Sequence, residues 1–466
     1  MNKIPKITEV VLRDGQQSIL ATRMKVTDMI PILPSMDKVG YSSVEVWGGA
    51  TYDSCLRYLN ENPWDRLKIF KKSFKKTKLQ MLLRGQNILA YKKYDDSVVS
   101  LFIENASKSG IDIFRIFDSL NDISNLESSI KFVNKNKKHS QGTIAYTTSP
   151  IHNTKYWLEL SKNIEDIGAK SLAIKDMSGL LRPYAAYELI TLLKKNLKIP
   201  IYLHMHATTG LSDATNLKAF EAGIDNIDTS ISSFSGTYGH TATESLISML
   251  YNDKNNPYDM NLINKISDYF AEVRTKYKEH EGSLKGIDTK MLHNQVPGGM
   301  LSNFESQLKN MEMIDKLDLL IEEIPKIRKD LGYIPLVTPT SQIVGTQALL
   351  NIQNTNRYDA LTNEMIDLVN GKYGKINGKI NKDLIEKVKE NQTSKEEKDP
   401  MTVSEYRNIF KQKCLENDLD NIYKNDKHLL NYILFPDITI DYYKELKRAD
   451  EDQMYDLQEG LGILID

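Results

Sequence analysis

The chain has 466 residues, of which 40% are hydrophobic and 26% charged, enough to bury a sizeable core and more than one ordinary single-core domain needs. Its 61 basic and 62 acidic residues leave a formal net charge of -1, which excludes a long-range field drawing it to nucleic acid or an anionic membrane surface. Only Cys55 and Cys414 are present, so a disulfide framework is excluded and a reducing compartment, the cytoplasm, is expected.

From Met1 to Val11 the chain passes directly into a strand-like run, without the apolar core and small-residue cleavage site of a secretion signal. Nowhere do about 18 apolar residues run uninterrupted by charge, so membrane contact is expected only through a partner. Apolar, β-branched runs then recur at Ile7 to Leu12, Ser43 to Trp47, Leu79 to Leu83, Ile111 to Phe117, Gly142 to Thr147, Ser171 to Ile174, Pro200 to Leu203 and Asn226 to Ile231. They start about 30 residues apart, the size of one βαβ unit, and helical spacing fills the gaps, as in Val98 to Ser109 and Tyr187 to Leu197.

Eight such units predict an α/β fold, a (β/α)8 TIM barrel over residues 1–255. A single open sheet of that many strands would exceed the usual size. Beyond Tyr251 the composition turns Lys-, Glu- and Asn-rich, predicting a mainly helical domain over 256–466, with 391–400 as a solvated linker. No internal repeat is visible beyond the strand–helix rhythm.

Barrel enzymes carry their chemistry at the carboxyl ends of the strands, and the unusual polar residues fall there. Asp14 follows the first run, Trp47-Gly48-Gly49 the second, Arg84 the third, Lys175 the sixth, and His204-Met205-His206 the seventh. Side chains alternate along a strand, so His204 and His206 share a face and can reach one metal. Alone, that pair reads equally well as two polar strand-end histidines. Asp14 and Lys175 on the same rim strengthen the metal reading. An ammonium has no lone pair, so Lys175 ligates only if neutral or carbamylated by CO2. The alternative is a lysine neutralised by Asp14 or Asp176, and spacing leaves both open. The Arg84 guanidinium fork suits a carboxylate.

These residues resemble the carboxyltransferase family of pyruvate carboxylase, the oxaloacetate decarboxylase α subunit and the transcarboxylase 5S subunit. The resemblance runs from Leu12-Arg13-Asp14-Gly15-Gln16-Gln17-Ser18 and Ala21-Thr22-Arg23 through Trp47 to Asp53 and Leu83-Arg84-Gly85. It continues with Ile174 to Gly179, His204 to Gly210, Gln295 to Met300 and Val337-Thr338-Pro339-Thr340-Ser341, so nearly the whole chain is covered.

The resemblance implies that Asp14, carbamylated Lys175, His204 and His206 hold one divalent metal, zinc first, with manganese and cobalt as alternatives. Gln17, Arg84 and Tyr91 would hold the oxoacid, and Asp53 and Tyr91 would contact biotin; Asp53 reads equally as a cap of the helix that follows. Thr338 would pass a proton between pyruvate and the biotin ring, a hydroxyl being donor and acceptor in one place.

Two departures stand out. Gly15-Gln16 replaces the family's Ala-His, and His206-Ala207-Thr208-Thr209-Gly210 looks like the decarboxylase, transcarboxylase and two-subunit carboxylase branches. The biotin-accepting Ala-Met-Lys-Met type motif and a Gly-rich phosphate loop are absent. Biotin is therefore expected on a separate carboxyl carrier protein, and the ATP-dependent step on a separate biotin carboxylase. A homodimer is also expected. The first functional expectation is an oxaloacetate decarboxylase α subunit acting on oxaloacetate and pyruvate beside sodium-pump membrane subunits, cytoplasmic or peripheral to the inner membrane. The B subunit of pyruvate carboxylase and transcarboxylase 5S follow. Acyl-CoA condensing enzymes and lyases, which also pair Arg-Asp-Gly with HxH, and a non-catalytic scaffold come last.

Overall fold

A computed structural model describes residues 4–460, apart from 253, 283, 297–303, 305–306, 310 and 392–398. Most of the expected linker at 391–400 and residues 297–300 of the Gln295 motif lie outside the described residues.

Eight parallel strands close on themselves: β1 (Lys6–Glu9), β2 (Ser43–Trp47), β3 (Lys78–Leu83), β4 (Ile113–Phe117), β5 (His139–Ala145), β6 (Ser171–Asp176), β7 (Ile201–Met205) and β8 (Asn226–Thr229). The ring is sealed by β1 against β8, Lys6 opposite Asn226 and Glu9 opposite Thr229. Strands of such a barrel are covered on both faces, and the polar residues that interrupt their apolar runs, among them Glu45, Arg115, Gln141 and Asp228, are buried. The TIM barrel expected from the sequence is therefore the fold, followed by a helical region. Among the described residues no helix is long and apolar enough to cross a membrane.

One strand differs from the sequence expectation in a way that matters. Val10-Val11-Leu12 continues the apolar run of β1, yet the strand stops at Glu9 and Val11–Gly15 forms a π-helical turn. Glu9 causes this: its Oε1 accepts from Val11 N at 3.0 Å and Ile231 N at 3.1 Å, and its Oε2 accepts from Thr243 Oγ1 at 2.7 Å. A side chain that captures its own downstream amide turns the backbone out of the sheet, and Asp14 is delivered by that turn.

Burial pushes the Glu9 carboxyl up to about 7 from its ordinary 4.5. The folded chain thus holds this proton more tightly than the unfolded one, and the stability it contributes is lost as pH rises from about 4.5 through 7. Glu9→Gln is expected to raise Tm above pH 7 and leave it nearly unchanged at pH 4.5, as thermal melts across that range would show.

The helical region contributes to two separate cores. Tyr406, Phe410, Leu429, Leu430, Tyr442 and Tyr443 join the barrel's own core, whereas Leu320, Ile324, Ile327, Val344, Met365 and Leu384 make a second one. At the first contact Trp47, Tyr52, Trp64 and Phe102 stack with ring centroids 5.0–6.0 Å apart. Asn431 fastens them: its Oδ1 accepts from Tyr52 Oη and, at 3.0 Å, from Trp64 Nε1, and its Nδ2 donates to Tyr443 Oη at 2.7 Å. Asn431→Ala strands these buried groups and is expected to cost about 2–3 kcal/mol, read as a lower denaturant midpoint at constant slope.

The second core sits over the barrel mouth beside β4 and β5. Asn125 Nδ2 donates to Tyr373 O at 3.0 Å, Lys375 N to Asp122 Oδ2 at 2.7 Å, and Arg328 Nη2 to Thr147 Oγ1 at 2.9 Å. Val337 completes the join by packing against Phe117 and Ala145, the last residues of β4 and β5.

Candidate metal centre

The barrel mouth gathers four buried ligand-bearing side chains, Asp14, His204, His206 and His240, whose ligand atoms all lie within 4.8 Å of one another. Asp14 Oδ2 is the focus, 3.0 Å from His204 Nε2, 3.3 Å from His206 Nε2 and 2.9 Å from His240 Nε2. Lys175 Nζ stands 2.8 Å from His204 Nε2.

The far nitrogen of each ring fixes its tautomer. His206 Nδ1 lies 2.7 Å from Tyr238 O and His240 Nδ1 2.9 Å from Met205 O; a carbonyl only accepts, so both Nδ1 atoms carry the proton. His204 Nδ1 donates to Asp228 Oδ2 at 2.8 Å, because an ionised carboxylate only accepts. Three Nε2 lone pairs are left pointing at one carboxylate oxygen, and His206 Nε2 is buried with no hydrogen-bond partner. An oxygen and imidazole set gathered in this way suits a divalent cation such as zinc, manganese or cobalt. The residues fit a divalent metal.

Charged neighbours prepare the same state. Burial alone would raise the Asp14 carboxyl, but the Arg13 guanidinium and Lys175 hold it well below the usual range. Arg13 Nη1 donates to Asp14 Oδ1 at 2.7 Å while its Nη2 bridges both Glu45 oxygens at 2.9 and 2.8 Å. Burial, with Lys175 and His240 adding to it, drops His204 to about 3, so the ring stays neutral as a ligand must. Burial likewise lowers Lys175 to about 8 from 10.5, and a neutral amine is the form that reacts with CO2.

The remaining expected site residues surround this cluster unevenly. Gln17 is tied to it through Arg13, whose Nη1 donates to Gln17 Oε1 at 3.3 Å. Arg84 donates to Leu89 O at 2.8 Å, and its guanidinium lies 4.8 Å from the Tyr91 ring centre. Gly49 makes room for it: a Cβ there would come within 2.7 Å of Leu89 O and 3.2 Å of Arg84 Cζ, which ties the Trp47-Gly48-Gly49 motif to Arg84. Thr338 follows Val337 at the mouth and is half-buried. Asp53 lies inside the Gly49–Ser54 helix rather than at its start, and pairs with Arg57 at 3.1 Å; it is not the helix cap that its position in the sequence allowed. Gln16 turns away toward Leu12 O and Met24 N, so the departure at Gly15-Gln16 leaves Asp14 and Gln17 in place.

Sequence reasoning missed His240 and the buried charges Glu45, Arg115 and Asp228. Glu45 and Arg115 had a signal, a lone charge between apolar strand residues in β2 and β4, whereas Asp228 lies in the largely polar run Asn226–Thr229 of β8. His240 lies in a loop, and only closure of β8 beside β7 brings it to the others.

Residues 4–269 match the HMGL-like family, and residues 291–461 match the conserved carboxylase domain family. Over 452 residues the chain is 46% identical to the B subunit of pyruvate carboxylase from Methanocaldococcus jannaschii, spanning 95% of this chain and 78% of that one. The chain belongs to the biotin-dependent carboxyltransferases. It is also 47% identical over 374 residues to the methylmalonyl-CoA carboxyltransferase 5S subunit of Propionibacterium freudenreichii subsp. shermanii, spanning 79% of this chain and 73% of that one. The carboxyl transferase domain of Rhizobium etli pyruvate carboxylase, solved with pyruvate and biocytin, superposes with a TM-score of 0.87 at 29% identity, over 95% of this chain and 77% of that one. As a carboxyltransferase with a matched carboxylase domain, the protein is set apart from the acyl-CoA condensing enzymes and lyases considered from the sequence.

Proposed function

We propose that this carboxyltransferase moves a carboxyl group between biotin, borne by a separate carrier protein, and pyruvate, as the catalytic subunit of a two-subunit pyruvate carboxylase. The oxaloacetate decarboxylase reading put first from the sequence gives way, because the relatives above carry pyruvate carboxylase and transcarboxylase names. The observation that carries the proposal is convergence. One barrel mouth holds Asp14, Lys175, His204 and His206, and Val337 inserts into the same mouth with Thr338 beside it.

Asp14, His204, His206 and Lys175 as its carbamate would hold the ion, which is zinc in this reading. When bound, the metal supplies Lewis-acid polarisation of the oxoacid's 2-oxo group. Arg84 holds the substrate carboxylate through its fork, releasing Leu89 O and Ala90 O to do so, and the Gln17 amide orients the oxo end. Tyr91, 44% exposed above Arg84, screens the pair from water and offers biotin a flat face. The Thr338 hydroxyl takes a proton from the pyruvate methyl group and passes it to the biotin ring nitrogen as the carboxyl group leaves. Oxaloacetate decarboxylation follows the same path in reverse.

The test is transfer from a carboxylated carrier protein to pyruvate by the purified chain. Oxaloacetate formation is expected; acetyl-CoA turnover without any biotin requirement would overturn the proposal. Arg84→Lys keeps the charge but loses the fork, and is expected to raise the oxoacid KM about 10- to 100-fold with a smaller change in kcat. Steady-state kinetics with pyruvate varied would check this.

A further inference from the structure

His240 stands outside every motif on which the family resemblance rests, yet its side chain is fully buried and its ring centre lies 4.5 Å from that of His204 and 4.4 Å from that of His206. The backbone holds it firmly. His240 bridges antiparallel to His206, Ala207 N donates to Gly239 O at 2.8 Å, and Gly236 N donates to His240 O at 2.9 Å. Gly239 is required by this tight turn, since a Cβ would come within 2.9 Å of Phe234 O and 3.2 Å of Gly236 O.

The ring's polarity is equally fixed. Its Nδ1 proton goes to Met205 O, so the Nε2 of the neutral ring presents a lone pair, and that lone pair faces Asp14 Oδ2 at 2.9 Å. Two lone pairs at that distance repel unless a proton or a metal ion lies between them. A proton would put an imidazolium in a fully buried site packed against two further imidazole rings. A metal explains the spacing better. Metal–ligand bonds of about 2.0–2.2 Å leave neighbouring ligand atoms roughly 2.9–3.5 Å apart, and Asp14 Oδ2 lies 3.0 Å from His204 Nε2, 3.3 Å from His206 Nε2 and 2.9 Å from His240 Nε2.

We propose that His240 is a third imidazole ligand of the ion, in addition to Asp14, Lys175, His204 and His206. This rests on the metal-dependent reading above. With the ion held by five protein groups, a six-coordinate metal keeps a single position for the oxoacid or water.

The experiment is to load the full chain with Co2+ and count the paramagnetically shifted, solvent-exchangeable imidazole N–H signals by proton NMR. Each ligating ring contributes one from its Nδ1–H. Three signals are expected in the parent protein and two in His240→Gln, with Co2+ affinity in the variant at least about 10-fold weaker by chelator competition. Two signals in the parent protein overturn the proposal, and that count stands even if His240→Gln does not fold. If Co2+ binds, carboxyl transfer proceeds and only two rings are counted, this inference alone falls. If no Co2+ binds, the metal-dependent reading falls with it.

Discussion

Thr338→Ala is expected to lower carboxyl transfer to pyruvate by about 10²–10⁴-fold, the usual worth of a positioned proton-transfer group, while metal content and Tm stay at parent values. The separation is sharp because two neighbouring threonines have different work. Thr340 Oγ1 is engaged with Pro335 O and Val337 O, both at 2.6 Å, and shapes the turn. Thr338 is half-buried and follows the Val337 anchor directly. Removing its hydroxyl leaves Val337 packed on Phe117 and Ala145, so position is kept and chemistry lost. Thr338→Ser restores the hydroxyl and should recover most of the rate. Thr340→Ala should instead lower Tm. Parallel assays of transfer, metal content and melting distinguish these outcomes.

Asp14→Asn is expected to empty the metal centre and abolish turnover, with metal falling from about one ion per chain to below a tenth by elemental analysis. Asparagine matches aspartate in shape but not in charge, and one oxygen, Oδ2, is shared by three imidazole nitrogens at 2.9–3.3 Å. Losing that charge also leaves Arg13 and Lys175 with Glu45 but without the nearer Asp14 carboxylate, so an apparent Tm lower by several degrees is expected as well. A metal content unchanged in this variant would place the ion elsewhere.

How far the sequence anticipates these features depends on range. Strand runs are local, so all eight were legible, and the alternation that puts His204 and His206 on one face needs only three residues. The end of β1 was not legible: Val10-Val11-Leu12 is as apolar as a strand, and only the Glu9 bonds to Val11 and Ile231 show why the backbone turns there. His240 and the Arg115–Asp228 pair depend on ring closure, which joins β4 and β8 across the barrel interior over 113 residues of chain. The mainly helical character beyond 256 was legible, but composition does not name a helix's partner; for Asp426–Leu434, Asn431 does, through Tyr52 and Trp64. The preference between decarboxylase and carboxylase was beyond site residues altogether, since both directions use one mouth and differ in the subunits supplied.

The most direct test is metal removal and return. The chain is stripped with chelator, mixed with carboxylated carrier protein and pyruvate, and oxaloacetate is measured as zinc is titrated back. No transfer is expected without metal and full recovery at one equivalent per chain; undiminished transfer by the metal-free protein would rule out a metal-dependent site.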